Sequence, residues 1–272
     1  MDISIVIVNY NSEVFLKNCI DSIMKNLIVD FELIIVDNAS KIETIKMLNE
    51  IERENAKCTF IYSEKNLGFA RANNLGAEIA KGEFIHFLNP DILIEKDIND
   101  VYINIIQERK RALYATTLYD NNIESKTGYL IPTIKNYIKN FFLKNVDRWY
   151  IGASIIVEKN IFDEIGGWPE DYFMYAEDLD LCYRAMLLNI DIYKVEAFIQ
   201  HVGGGSTKTV WNRFDTDVKK EIANIKFFKK YNLQFDYFFS KMIVLLLNYK
   251  NPASIVYICK VIKKAISTEG FF

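Results

Sequence analysis

The segment Ser4-Ile5-Val6-Ile7-Val8-Asn9-Tyr10-Asn11-Ser12 decides the fold. Residues 5–8 are all β-branched, and an unbroken run of this kind suits a strand buried on both faces of a sheet. Asn9-Tyr10-Asn11 ends the strand, and Ser12 stands at the N-cap position of a helix reaching about residue 25. The pattern then repeats. Residues 31–36 form a second apolar run closed by Asp37-Asn38-Ala39-Ser40, where Ser40 and Glu43 read as a capping box for the next helix. Residues 59–62 make a third short strand. Asn66-Leu67-Gly68 turns the chain into a helix ending at Lys81-Gly82, with Gly82 at the C′ position. Residues 84–88 supply a fourth strand, broken by Asn89-Pro90-Asp91.

This alternation predicts an α/β fold with a mainly parallel central sheet and helices on both faces. Asn9, Asp37, Asn66 and Asp91 each fall at or just past a strand's carboxyl end, the edge along which open α/β sheets bind ligands. Four such ends offering Asn or Asp point to a nucleotide site. The second half is less regular. Residues 119–148 read as a polar loop or small helix over the site, 149–157 as another buried strand, and 159–165 as a short helix stopped by Gly166-Gly167. Beyond a helix opening at Glu177, residues 191–195 read as a strand leading to His201-Val202-Gly203-Gly204-Gly205-Ser206-Thr207. Residues 210–231 form a basic amphipathic helix, followed by apolar stretches 237–247 and 253–262. The expected organisation is a domain over 1–231 and a C-terminal helical extension over 232–272.

Composition narrows the class. Half of the residues are hydrophobic and a quarter charged, which fits a folded chain and excludes a disordered one. Residues 202–272 hold 12 Lys/Arg and 5 Asp/Glu, or +7; against a total of −3, the remainder carries −10. An acidic body with a basic tail is not the profile of a nucleic-acid binder. Cys19, Cys58, Cys182 and Cys259 lack any metal-ligand spacing and read as buried free thiols, as expected in a reducing compartment. Neither a signal peptide nor a run long enough to span a bilayer is visible, so a cytoplasmic location is expected.

The segment Gly166-Gly167-Trp168-Pro169-Glu170, with Tyr172, Phe173 and Tyr175 and then Glu177-Asp178-Leu179-Asp180, joins a turn, aromatic rings and an acidic helix start. A helix N-terminus favours negative charge, but three carboxylates in four positions exceed what capping requires. Beside aromatic rings they suit binding of a sugar face and removal of a proton from a hydroxyl. Asp180 and Arg184, spaced i, i+4, read as a pair along one helix face. His86, inside a strand, reads as a structural side chain with a satisfied hydrogen bond.

Taken in order, Ile5 to Asn11, Val36 to Ser40, Asn66 to Asn74, Leu88 to Asp91, the 166–184 segment and His201 to Thr207 resemble glycosyltransferase family 2. These are inverting enzymes of GT-A fold, and the likeness is to the rhamnosyltransferase-like branch that builds bacterial surface polysaccharides. The resemblance covers about residues 3–230. It implies a nucleoside-diphosphate sugar as donor, dTDP-L-rhamnose first, with UDP-hexoses or UDP-N-acetylhexosamines as alternatives. It implies that Asn9 and Tyr10 line the base pocket, Asp37 bonds the pyrimidine imide, and Asn66 and Arg71 lie near ribose and phosphates. Asp91 matches the last acid of the family's metal-binding DxD. Asn89 stands where the first acid would be, leaving one carboxylate for the ion instead of two. His201 matches a histidine that completes the metal site, Asp178 matches the catalytic base, and Glu177 is its neighbour. The implied cofactor is Mg²⁺ or Mn²⁺, with the histidine leaning toward Mn²⁺.

Trp149, Trp168 and Tyr172 are candidate platforms for apolar sugar faces, and Lys208 and Arg213 candidates for a basic lid over the diphosphate. The acceptor implied is a glycan, lipid-linked or free. Two readings stand for the C-terminal stretches: helices packed on the domain or on a second subunit, or a peripheral membrane anchor with Lys260, Lys263 and Lys264 facing anionic lipid. Two rivals from other classes also stand. The Asn89 substitution keeps open a non-catalytic nucleotide-sugar or glycan binder, and the nucleotide half alone would suit a nucleotidyltransferase.

Overall fold

The computed structural model describes residues 1–55, 57–143, 146–202 and 212–270. Its N-terminal part alternates β1 (Ile3–Asn9), α1 (Glu13–Asn26), β2 (Phe31–Asp37), α2 (Ile42–Glu54), β3 (Cys58–Tyr62), α3 (Phe69–Ile79) and β4 (Phe84–Leu88). β1 pairs in parallel with both β2 and β4, and β2 in parallel with β3. Successive side chains of a strand point to opposite faces. Ile3, Ile5 and Ile7 accordingly join a core with Leu16 and Cys19 of α1, while Val6 packs with Ala70 and Ala72 of α3. Both faces are covered by helices, as the unbroken apolar run anticipated.

The chain continues with β5 (Ile92–Ile94), α4 (Ile98–Glu108), β6 (Ala112–Asp120), β7 (Ile123–Glu124), β8 (Gly128–Leu130), α5 (Ile134–Phe142), β9 (Arg148–Tyr150), β10 (Ser154–Glu158), α6 (Lys159–Ile165), α7 (Glu177–Leu187) and β11 (Asp191–His201). The main sheet runs β3-β2-β1-β4-β10-β6-β11-β5. β10 lies antiparallel to both β4 and β6, and β11 is parallel to β6 but antiparallel to β5. The sheet is therefore mixed, which corrects the mainly parallel expectation. The parallel half ends at β4 because the Asn89-Pro90-Asp91 turn, not a crossover helix, follows Leu88.

Other local expectations are corrected too. Ser40 does not cap α2, whose N-cap is Lys41 with no side-chain bond. Its hydroxyl instead accepts from Asn9 Nδ2 and the Asn11 amide. Ser12 does occupy the N-cap of α1, yet its hydroxyl donates to the Tyr10 carbonyl. α3 ends at Ile79 with Ala80 as its C-cap, before Gly82. Gly82 is needed for a different reason: an added Cβ there would lie 2.4 Å from the Ser4 amide nitrogen. Residues 149–157 are two strands separated at Gly152, and 119–148 hold β7, β8 and α5 as well as the end of β6. His86 behaves as read: it is buried between Tyr102 Oη (2.6 Å) and Ser154 Oγ (2.7 Å), and burial lowers its pKa to about 3, keeping the ring neutral. Among the cysteines, Cys19 and Cys182 are buried, Cys58 is half-buried and Cys259 exposed, which corrects the uniform expectation; all four are free.

Three helices close the described chain: α8 (Arg213–Lys230), α9 (Gln234–Leu247) and α10 (Pro252–Glu269). They share a third core with α7, in which Tyr183 and Leu179 meet Phe227, Phe228, Tyr237 and Ala265. Asp180 and Arg184 pair at 2.8 Å as their spacing suggested.

Candidate active site

The parallel order β3-β2-β1-β4 reverses direction between β1 and β4, and ligand sites of open α/β sheets lie at such a point, past the strands' carboxyl ends. A cavity of about 340 Å³ sits there. Its wall is drawn from the ends of β1 (Val8, Tyr10) and β4 (Asn89, Asp91), from the loop before α3 (Asn66, Gly68), and from the start of α7.

Each polar group arrives by a traceable local cause. Asn89 is fixed by its amide, which donates to the Ala153 carbonyl at 2.9 Å. Pro90 has no amide hydrogen and cannot extend the strand pairing, so the chain turns and brings Asp91 into the cavity wall. β5 then pairs antiparallel with β11, His201 opposite Ile92, and the Val202 amide donates to the Asp91 carbonyl at 3.0 Å. That register brings His201 Nε2 to 3.5 Å from Asp91 Oδ2, although 110 positions separate them in sequence.

Glu177 and Asp178 open α7. The two residues before them, Tyr175 (φ 72°) and Ala176 (φ 65°), are both left-handed without being glycine. Such a conformation costs of order 1–3 kcal/mol per residue and gathers at functional sites. Asp178 is held by two amides: Gly152 donates to Oδ2 at 3.2 Å and Leu179 to Oδ1 at 2.9 Å. Burial outweighs these bonds and raises its pKa above the usual carboxylate range. Glu177 is pushed up as well, first by burial and then by the neighbouring Asp178 charge. Its Oε2 is buried with no hydrogen bond among the described residues. Two adjacent carboxyls kept from ionising freely are a pair prepared for proton transfer.

A second polar cluster orders the rim. Asn38 Nδ2 donates to Asn66 Oδ1 (3.0 Å) and to the Gly68 carbonyl (3.2 Å), while Asn38 Oδ1 accepts the Leu67 amide (2.7 Å). Gly68 has φ +81°, and a Cβ there would lie 2.5 Å from the Phe173 carbonyl oxygen.

Of the residues read from sequence, the cavity brings together Tyr10, Asn66, Asn89, Asp91, Glu177, Asp178 and His201. Asn9 and Asp37 lie beneath it: both are buried, Asn9 Nδ2 donates to Asp37 Oδ1 at 2.8 Å, and the Ser40 amide bonds the other oxygen at 3.0 Å. Arg71 stands outside, 3.4 Å from Glu170, and Arg213 is 90% exposed beside Asp217. The platform expectation for Trp168 and Tyr172 is corrected. Trp168 is 1% exposed and meets Phe69 and Phe87 edge-on, and Tyr172 is buried with its hydroxyl donating to Asp180 at 2.8 Å. Trp149 stacks on Tyr129 at 5.0 Å, outside the cavity wall. Lys208 and the glycine run lie outside the described residues. Tyr175, read as part of the aromatic run, lines the cavity, whereas sequence reasoning missed Asn38 and Gly152. Asn38 was legible beside Asp37 at a strand end, whereas nothing local marks Gly152.

Among the described residues no cluster of three or more His, Cys, Asp or Glu side chains could hold a metal by itself. Asp91 and His201 nevertheless fit a hard divalent ion of the kind that takes one or two protein ligands and completes its shell with phosphate oxygens and water.

A family model described as Glycosyl transferase family 2 matches residues 4–166. The chain is similar to Rhamnosyltransferase WbbL of Escherichia coli K12, 27% identical over 221 residues covering 71% of this chain and 80% of that protein. It is similar also to the low-salt glycan biosynthesis hexosyltransferase Agl10 of Haloferax volcanii, 30% identical over 208 residues covering 70% and 64%. In structure it is similar to the mannosyltransferase PcManGT from Pyrobaculum calidifontis in complex with GDP-Man and Mn2+, with TM-score 0.64 at 13% identity over 98% of this chain and 75% of that one. S. aureus TarS 1-349 in complex with UDP-GlcNAc gives TM-score 0.58 at 18% identity over 82% and 66%. The chain thus spans less than two thirds of the haloarchaeal and staphylococcal chains. At these identities the structural likeness speaks to the fold, which is GT-A-like.

Proposed function

Because the chain belongs to glycosyl transferase family 2, we propose that it transfers a sugar from a nucleoside diphosphate to a glycan hydroxyl, with inversion at the anomeric carbon. The observation that carries this reading is the convergence of Asp178, Asp91, His201, Tyr10 and Asn66 on one cavity at the sheet's switch point.

In this proposal Asp178 takes the proton from the acceptor hydroxyl as the oxygen attacks the anomeric carbon and the nucleoside diphosphate leaves. Its amide bonds to Gly152 and Leu179 fix the carboxylate, and its raised pKa makes it a better proton acceptor than an ordinary aspartate. Glu177 keeps a second, less acidic carboxyl beside it. Asp91 and His201 would hold Mn²⁺ or Mg²⁺, which supplies positive charge against the diphosphate. Tyr10 and Asn66 line the donor side. Asn9 and Asp37 would act from below by fixing the β1 and β2 ends that carry Tyr10 and Asn38.

For the donor, a UDP-hexose or UDP-N-acetylhexosamine has the broader support: a hexosyltransferase and a structure holding UDP-GlcNAc are both among the similar proteins. dTDP-L-rhamnose rests on the likeness to one rhamnosyltransferase. A bacterial surface glycan, free or lipid-linked, is the acceptor class proposed. The test is release of nucleoside diphosphate from a panel of UDP-, dTDP- and GDP-sugars with Mn²⁺ present. Turnover of one donor that Asp178→Asn abolishes, with binding retained, supports the enzyme. Binding without turnover by the native chain would leave a carbohydrate-binding protein, and release of pyrophosphate from a nucleoside triphosphate would mean nucleotidyl transfer.

A further inference from the structure

Two helices far apart in sequence present apolar side chains to solvent next to one another. α5 is amphipathic, with Ile134, Tyr137, Ile138 and Phe141 along one face, and it packs on α9 through the Tyr137–Phe239 rings (5.8 Å) and an Ile134 amide donating to Asp236 Oδ1 at 2.6 Å. This contact covers little of what the two helices offer. Phe141 and Phe142 at the end of α5 are 81% and 73% exposed, and Phe235, Leu246 and Leu247 of α9 are 85%, 61% and 79% exposed. On its other side α9 borders an apolar groove of about 810 Å³ shared with α10, floored by Leu245 and Ile262 and edged by Lys263. Scattered exposed apolar residues are ordinary, but large ones on two adjoining helices beside an apolar groove shared with a third mark an interaction surface.

The charge around it selects the occupant. Residues 234–270 hold five lysines and two acids, or +3. Both acids are engaged: Asp236 accepts the α5 amide, and Glu269 lies 3.9 Å from Lys226 of α8. Lys241 is paired with Glu221 at 2.6 Å, which leaves Lys250, Lys260, Lys263 and Lys264, all exposed, as the surplus. Lys135 adds a further exposed charge on α5. Aromatic and aliphatic tips bordered by lysines match the interface of a bilayer rich in anionic headgroups, where apolar side chains enter the acyl boundary and ammonium groups meet phosphate. No described helix is long and apolar enough to cross a membrane, so contact would lie along the surface.

We propose that the joined faces of α5, α9 and α10 form a docking surface for an anionic lipid bilayer. The surface is separate from the cavity, and the proposal stands whether or not the transferase reading does. The test is co-sedimentation of the full chain with vesicles of phosphatidylcholine alone or with phosphatidylglycerol added. Binding is expected with phosphatidylglycerol and should weaken as salt rises. Phe141→Ser with Phe235→Ser, and separately Lys263→Glu with Lys264→Glu, should each weaken it by about tenfold or more. These side chains are exposed, so folding, checked by thermal melting, and donor turnover in solution should be retained. Equal binding to both vesicle types, or binding untouched by either double variant, overturns the proposal. So does a dimer in sedimentation velocity that the phenylalanine variant splits, since the face would then belong to a second copy of the chain.

Discussion

The Gly152 amide donates to Asp178 Oδ2 at 3.2 Å, joining the loop between β9 and β10 to the first turn of α7. An added Cβ at Gly152 would lie 3.1 Å from the Trp168 ring and 3.5 Å from Asp178 Cβ, a tight fit against the ring. The bond fixes the carboxylate within the cavity wall, where the proposed base must work. Asp178→Asn keeps the shape and an acceptor for one of the two amides but removes the basic oxygen. Turnover should fall by about 10²–10⁴-fold while the donor dissociation constant changes little. Stopped-time release of nucleoside diphosphate, beside calorimetric donor binding, checks both halves; a mild loss would assign the base to Glu177.

The raised pKa values of Glu177 and Asp178 predict opposite effects of rising pH on activity and on stability. A base works deprotonated, so kcat/KM should rise with pH along a limb lying above the ordinary aspartate position of about 4. Stability runs the other way. Below the unfolded pKa both states are protonated and burial exacts no penalty; as pH rises through the raised folded pKa, that stability is lost. Glu177→Gln removes the ionisable group. It should melt with the native chain near pH 4 and above it at about pH 8, by about 2–4 °C for each kcal/mol regained. Equal melting temperatures across that range would contradict the assignment of buried, reluctant carboxyls.

Much of this arrangement is legible in the sequence, for identifiable reasons. Residues 5–8 and 31–36 announce strands buried on both faces because each alternate side chain meets a helix layer. Asn89-Pro90-Asp91 announces a turn because proline cannot continue strand pairing. What sequence does not carry is registry between distant segments. The 3.5 Å approach of His201 to Asp91 depends on β11 returning antiparallel to β5, and the Ser40 capping box fails because Asn9 and Asn11 claim its hydroxyl first. Trp168 looks like a sugar platform until Phe69 and Phe87 are seen to enclose it. The left-handed Tyr175 and Ala176 have no glycine to betray them.

Asp91 and His201 should act together on metal dependence. Among the described residues they are the acid and imidazole that meet across the cavity, and Asn89 offers no second carboxylate beside them. His201→Ala should raise the Mn²⁺ concentration giving half-maximal turnover by about 10–100-fold, the scale on which changed ligand shells alter affinity. Asp91→Asn should do the same, and the double variant, left with neither ligand, should raise it further. A metal titration superimposable on the native curve would make the pair a structural contact.

Gly68 is a point where backbone geometry and site shape coincide. At φ +81° and ψ 177°, a region essentially reserved for glycine, an L side chain is strained by roughly 1–3 kcal/mol, and its Cβ would lie 2.5 Å from a backbone carbonyl, that of Phe173. Gly68→Ala should therefore cost at least about 1–3 kcal/mol in urea unfolding. Donor affinity should fall with it, because Gly68 and Asn66 line the cavity and share the Asn38 network. Stability lost without any change in donor binding would confine Gly68 to the scaffold.

Asp180 ties the proposed catalytic helix to the C-terminal helices. It is fully buried, and its carboxylate receives Arg184 Nε at 2.8 Å, Tyr172 Oη at 2.8 Å, Tyr231 Oη at 3.0 Å and Lys230 Nζ at 3.0 Å. Two of these partners come from the end of α8 and the residue after it, so the carboxylate clamps α8 against the start of α7. Removing one side of a buried ionic network strands the other: Arg184 would lose its carboxylate, while Lys230 would keep only Asp171 at 2.7 Å. Asp180→Ala should thus destabilise the chain by about 3–5 kcal/mol, read by urea unfolding. Asp180→Asn, which keeps the shape and an acceptor for one of the two tyrosine hydroxyls, should cost less. If the three C-terminal helices unfolded independently of α7, Asp180→Ala would instead give two transitions, with the loss confined to one of them.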